Sequence, residues 1–96
     1  MEDKPTLPAP VLMHRAEVIN IKVAVHRSGR SERTIRDWCR IYGIGRQSAQ
    51  NAPLEISAPA LEMVLHGEYD ILELLRRGQR DHASVRRYFD HLGLPK

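Results

Sequence analysis

The sequence predicts a small, mostly α-helical domain with one β-hairpin, completed by further helices at its C-terminal end. Three observations predict it. Apolar residues recur at helical spacing in five short stretches of the 96 residues. Most of these stretches have a capping residue in front and a glycine behind. One polar stretch, 45–56, breaks the pattern and ends with Leu54 and Ile56 alternating around Glu55, the spacing of a strand.

The elements follow in order. Residues 1–12 hold Pro5, Pro8 and Pro10 among small and polar residues, which predicts a flexible N-terminal arm. Residues 13–18 suit a short strand or a lead-in segment. Asn20 is placed to cap a first helix whose apolar stripe is Ile21, Ala24 and Val25, and Gly29 ends it. Ser31 caps a second helix with Ile35, Trp38, Cys39 and Tyr42 turned inward, and Gly43 stops it. A hairpin with its polar tip near Gln50 and Asn51 comes next. Ser57 caps a third helix with Pro59 in its first turn and Leu61, Val64 and Leu65 on its core face. Residues 69–77 form a fourth helix around Leu72 and Leu75. Asp81 is expected to cap a last one containing Val85, Tyr88, Phe89 and Leu92. The organisation expected is thus an arm at 1–12, a core at 13–66, and C-terminal helices at 67–96 for packing or self-association.

Charge is zoned along the chain. The net is +3, and twelve of the fifteen basic residues are arginine, whose planar fork of donors suits phosphates and guanine edges. Residues 25–46 hold six arginines against two carboxylates. Residues 54–75 hold five carboxylates and no Lys or Arg, and 76–91 hold five arginines against two aspartates. Such zoning suggests one face for a polyanion and another turned away from it. The acidic Glu62, Glu68, Asp70 and Glu73 would then meet Arg86 and Arg87 of a neighbouring copy, giving cooperative head-to-tail self-association.

Several classes are disfavoured. One cysteine, Cys39, allows no internal disulfide and reads as a small buried apolar residue in a reducing compartment. His14, His26, His66, His82 and His91 show no ligand spacing, so no metal or other cofactor is expected. Gly43 and Gly45 lack the lysine and preceding strand of a phosphate loop. The carboxylates show no paired acid–base arrangement, so no enzyme is expected. No apolar run approaches a membrane span, and the chain does not open on a secretion signal; a cytoplasmic, nucleoid-associated protein is expected.

The stretch 28–40, Ser-Gly-Arg-Ser-Glu-Arg-Thr-Ile-Arg-Asp-Trp-Cys-Arg, carries the functional expectation. It reads as a tight turn, a helix cap, and a short helix with arginines on its outer face. That is the second helix of a helix-turn-helix, the one that enters the DNA major groove. With the hairpin after it, the order is that of a winged helix-turn-helix plus C-terminal helices. Residues 29–38 and 56–61 resemble the excisionase and MerR-like winged helix-turn-helix family, which includes recombination directionality factors; the resemblance spans 18–66.

The resemblance implies that Arg33, Thr34, Arg36, Asp37 and Arg40 meet double-stranded DNA. Arg27, Arg30, Ser31, Arg46 and Gln47 complete the expected contact set on helix ends and wing. It further implies an excisionase that lines up on attachment-site DNA and directs an integrase, a tyrosine recombinase, toward excision. A MerR-like transcriptional regulator and a small terminase subunit are alternatives. From another class, so is an interaction module whose arginines meet an acidic protein.

Overall fold

The structure, a computed structural model, describes residues 8–95. The described residues form five α-helices and a small antiparallel sheet. A single 3-10 turn, Arg15–Glu17, leads into β1 (Val18–Ile19), followed by α1 (Ile21–Ser28) and α2 (Glu32–Tyr42). The hairpin strands β2 (Gly45–Arg46) and β3 (Glu55–Ser57) precede α3 (Ala58–Leu65), α4 (Tyr69–Arg76) and α5 (Ala83–Leu92).

Local chemistry sets most of these limits. Asn20 accepts a hydrogen bond from the Val23 amide at 2.8 Å and starts α1. Gly29, at φ 71°, ends it in the left-handed conformation that only glycine adopts without strain. Ser31 Oγ accepts from the Thr34 amide at 3.1 Å and starts α2. Ser57 does the same for α3, accepting from the Ala60 amide at 3.2 Å. β3 therefore runs straight into α3 with no loop between.

The sheet has the order β1-β3-β2 with β3 in the centre. Val18 faces Ser57 and Ile19 faces Ile56 on one side, while Gly45 faces Ile56 and Arg46 faces Glu55 on the other. α3 is apolar around most of its circumference, and every residue from Ala58 to Val64 is buried, as a helix of that composition must be. It is the hub of the core, touching α1, α4, α5 and β3. Ala24 of α1 and Ile35 of α2 are fully buried in the same cluster as Ile44, Ile56, Leu61, Leu72, Val85 and Phe89. The C-terminal helices thus share one core with the first half of the chain.

Three expectations are corrected. Residues 1–7 of the expected arm lie outside the described residues, but 8–12 are docked. Val11 is 1% exposed and its amide donates to Gly43 O at 2.9 Å. Arg76 donates to Ala9 O and, at 2.7 Å, to Tyr42 O, so it clamps this segment to the end of α2. Proline-rich composition described the local chain but not the acceptors it offers to a distant arginine. Second, Asp81 does not cap the last helix. Residues 79–82 close a turn in which the His82 amide donates to Gln79 O at 3.2 Å, and His82 Nδ1 then accepts from the Ser84 amide at 3.2 Å. The helix starts one residue later than expected. Third, Glu62 is 8% exposed and lies on the buried helix rather than on an acidic outer face.

A buried ion pair joins the segment before β1 to the turn between α4 and α5. Arg80 Nη1 donates to Glu17 Oε2 at 2.6 Å and Nη2 donates to Oε1 at 3.0 Å. Glu17 is 1% exposed. Arg80 also donates to Leu12 O at 3.0 Å, and its guanidinium carbon lies 5.3 Å from the centre of the Phe89 ring. Removing one partner leaves the other charge buried alone, so Arg80→Ala is expected to lower stability by about 3–5 kcal/mol. Urea unfolding followed by circular dichroism checks this, and a loss below about 1 kcal/mol, the range of an exposed pair, would contradict it.

Candidate nucleic-acid interface

α1 and α2 are joined by the three-residue turn 29–31, with the hairpin beside α2. Arg27 in the last turn of α1, Arg30 in the turn and Arg33 in the first turn of α2 are all exposed. The Arg30 guanidinium lies 5.9 Å from the centre of the Trp38 ring, which limits its reach. Ser31 and Thr34 are engaged with each other, Ser31 Oγ donating to Thr34 Oγ1 at 3.1 Å.

A shallow open groove runs between α2 and the hairpin. From α2 it takes Arg36, Cys39 and Arg40; from the hairpin region, Gly45, Arg46, Gln47 and Leu54. The fold thus gathers Arg36, Arg40, Arg46 and Gln47 around one groove, while Arg27, Arg33 and Thr34 are not among the groove's lining residues. Each groove arginine has its own carboxylate. Arg36 Nε donates to Glu32 Oε2 at 2.9 Å, Arg40 Nη2 to Asp37 Oδ1 at 3.3 Å, and Arg46 Nε to Glu55 Oε1 at 2.8 Å. Gln47 Nε2 donates to Ala52 O at 2.6 Å and Gln50 O at 3.2 Å. Its amide nitrogen therefore orders the hairpin tip.

Glu32, Glu55 and Leu54 belong to this site, although sequence reasoning did not place them there. The i,i+4 spacing of Glu32 and Arg36 was available as a signal. The Arg46–Glu55 pair depends on the strand register and had no local signal.

Cys39 and Gly45 make the floor. A methyl group on Gly45 would lie 2.5 Å from Cys39 Sγ and 3.3 Å from Glu55 O, so only glycine lets β2 approach α2 this closely. Burial pushes the Cys39 thiol up to about 11, against the opposing pull of the Arg36 guanidinium.

Of the six residues expected for self-association, Glu62, Glu68 and Glu73 have partners within the chain. Tyr88 Oη donates to Glu68, and Glu73 accepts from Arg76 Nε at 3.0 Å. Burial, together with the Glu68 carboxylate, holds the Tyr88 phenol above its ordinary range. Glu62 Oε1 lies 3.8 Å from His66 Nδ1. Asp70, Arg86 and Arg87 are exposed, and Arg87 borders a small cavity of about 150 Å³ with His66, Glu68, Tyr88 and His91. Three of the four expected acidic residues thus have a partner within the chain, while Asp70, Arg86 and Arg87 remain on the surface.

Among the described residues, no group of three His, Cys, Asp or Glu side chains is placed to hold a metal ion, and no helix is long and apolar enough to cross a membrane. In comparison with known proteins, no family model, no curated protein and no solved structure matches this chain.

Two tests follow from the groove floor. Gly45→Ala is expected to destabilise the fold by about 1–3 kcal/mol through overpacking, and Cys39→Ala in the same chain to recover most of it; denaturant midpoints of the single and double variants check the pair. A thiol whose pKa is raised in the folded state stays protonated while the same thiol in the unfolded chain begins to ionise. The stability it contributes is present below the ordinary pKa of 9.0 and is lost as pH rises through about 11. Alkylation of Cys39 at pH 8 is expected to be much slower in the folded chain than in urea, as mass spectrometry would measure.

Proposed function

We propose that this chain is a winged helix-turn-helix protein that binds duplex DNA, with α2 laid in the major groove and the β2–β3 hairpin as its wing. The observation that carries this reading is the convergence of Arg36 and Arg40 from the helix and Arg46 from the hairpin on one open groove. Exposed Arg27 and Arg33 extend the basic surface around the N-terminal part of α2. A helix-borne and a hairpin-borne set of donors side by side suits a rod of phosphates with readable base edges between them. The acidic α4 packs at the other end of α2, where Tyr69 stacks on Tyr42 with ring centres 5.2 Å apart. That placement sets its carboxylates near the C-terminal end of α2, away from the turn 29–31.

The finer reading is an architectural protein of the excisionase type, acting on DNA beside an integrase. The residues 29–38 and 56–61 support it through their resemblance to that family. Because the Glu68 and Glu73 carboxylates are satisfied inside the chain, this reading does not require head-to-tail contacts between copies.

Binding to duplex DNA is expected at low salt and to weaken steeply as salt rises. Arg33→Ala should weaken binding to all sequences alike. Arg36→Ala should narrow the gap between preferred and random duplexes by about 1–3 kcal/mol. Fluorescence anisotropy across a salt series measures all three. Binding that is absent at low salt, or indifferent to salt, would refute the DNA reading and favour an acidic protein partner.

A further inference from the structure

Each of the three arginines that line the groove is held by a carboxylate. Arg27 and Arg33 lie outside that lining and have no carboxylate partner among the described residues. This division separates two tasks. A free arginine on a flexible stem takes whichever phosphate it reaches. An arginine already neutralised and held in place gains less from a phosphate and presents a defined set of remaining donors.

The geometry says which donors remain. Glu32 and Glu55 each engage the Nε position of their arginine, at 2.9 and 2.8 Å. Both Nη nitrogens of Arg36 and Arg46 are left for a ligand. Two adjacent Nη donors match the O6 and N7 acceptors that guanine presents in the major groove. An exposed ion pair adds little to stability, so stability alone does not account for a pair on every groove arginine.

Building on the DNA-binding reading, we propose that Glu32, Asp37 and Glu55 are specificity-determining positioning residues. They hold Arg36, Arg40 and Arg46 back from phosphates and turn the remaining guanidinium edges toward bases, guanine in the case of Arg36. Neutralising any of the three frees an arginine for phosphate. Non-specific affinity then rises while discrimination falls, a combination that a merely structural role would not produce.

The test uses the full chain and two duplexes: one selected by the wild type from a randomised pool, and a scrambled one of equal length. The variants are Glu32→Gln, Asp37→Asn and Glu55→Gln. Asp70→Asn makes the same charge change on α4, where no arginine among the described residues is paired to Asp70, and serves as control. Each groove variant is expected to bind the scrambled duplex more tightly and to steepen the slope of log affinity against log salt by about 0.9. The ratio of selected to scrambled affinity should fall about tenfold, and repeat selection with Glu32→Gln should lose a guanine preference. If the groove variants keep the wild-type ratio, or behave as Asp70→Asn does, the proposal is overturned. A wild-type chain that enriches no duplex from the pool and does not bind the scrambled one at low salt would instead sink the DNA reading beneath it, and the two failures are distinct.

Discussion

The buried pair between Glu17 and Arg80 is the constraint on which the rest of the structure depends. A carboxylate taken out of water is destabilising by several kcal/mol unless it is fully paired. Arg80 supplies two hydrogen bonds to it, a third to Leu12 O, and a cation over the Phe89 ring. One guanidinium thereby joins the segment before the sheet, the turn between α4 and α5, and the face of α5. β1 begins at the residue after Glu17, so the pair also anchors the outer strand against β3. β3 in turn carries the hairpin strand that holds Arg46 opposite Glu55. A contact remote from the basic groove thus helps to fix its geometry.

The zoning of charge has a matching explanation. Part of the basic–acidic–basic pattern is resolved inside one molecule, through Arg46 with Glu55 and Arg76 with Glu73, while Glu68 takes the Tyr88 hydroxyl. Arg76 also stitches Ala9 to the end of α2 through backbone oxygens. Exposed Arg27 and Arg33 place positive charge around α1 and the start of α2, and exposed Arg77, Arg86 and Arg87 place it at the C-terminal end. A long-range field of that kind favours encounter with a polyanion. The paired arginines in the groove contribute less to that field, which on the proposed reading leaves them to close-range recognition.

The groove itself is set by packing more than by charge. Ile44 is fully buried and anchors the start of the hairpin, and its carbonyl accepts from the Ser57 amide at 2.9 Å. The missing side chain of Gly45 admits the Cys39 sulfur. Gly43 is under a similar constraint, because a methyl group there would lie 2.8 Å from Arg76 Nη1 and 2.9 Å from Ala9 O. Two glycines three residues or less from the end of α2 therefore let the chain turn, receive the N-terminal segment and bring a strand back against the helix.

Sequence alone determined what depends on near neighbours. The caps Asn20, Ser31 and Ser57, the glycine ends, the inward stripes of α2 and α5, and the hairpin with its tip near 50–51 all follow from spacing within a few residues, where hydrogen bonds and helical period are local. Tertiary structure decided what depends on residues far apart. It docked residues 8–12, made His82 rather than Asp81 the cap of α5, buried Glu17 and Glu62, and paired Arg46 with Glu55. The Glu17–Arg80 pair spans 63 residues and Arg76–Ala9 spans 67, and no local pattern announces which arginine will meet which carboxylate or carbonyl. A charge in the sequence shows that a partner is needed; only the packed core sets which partner is within reach.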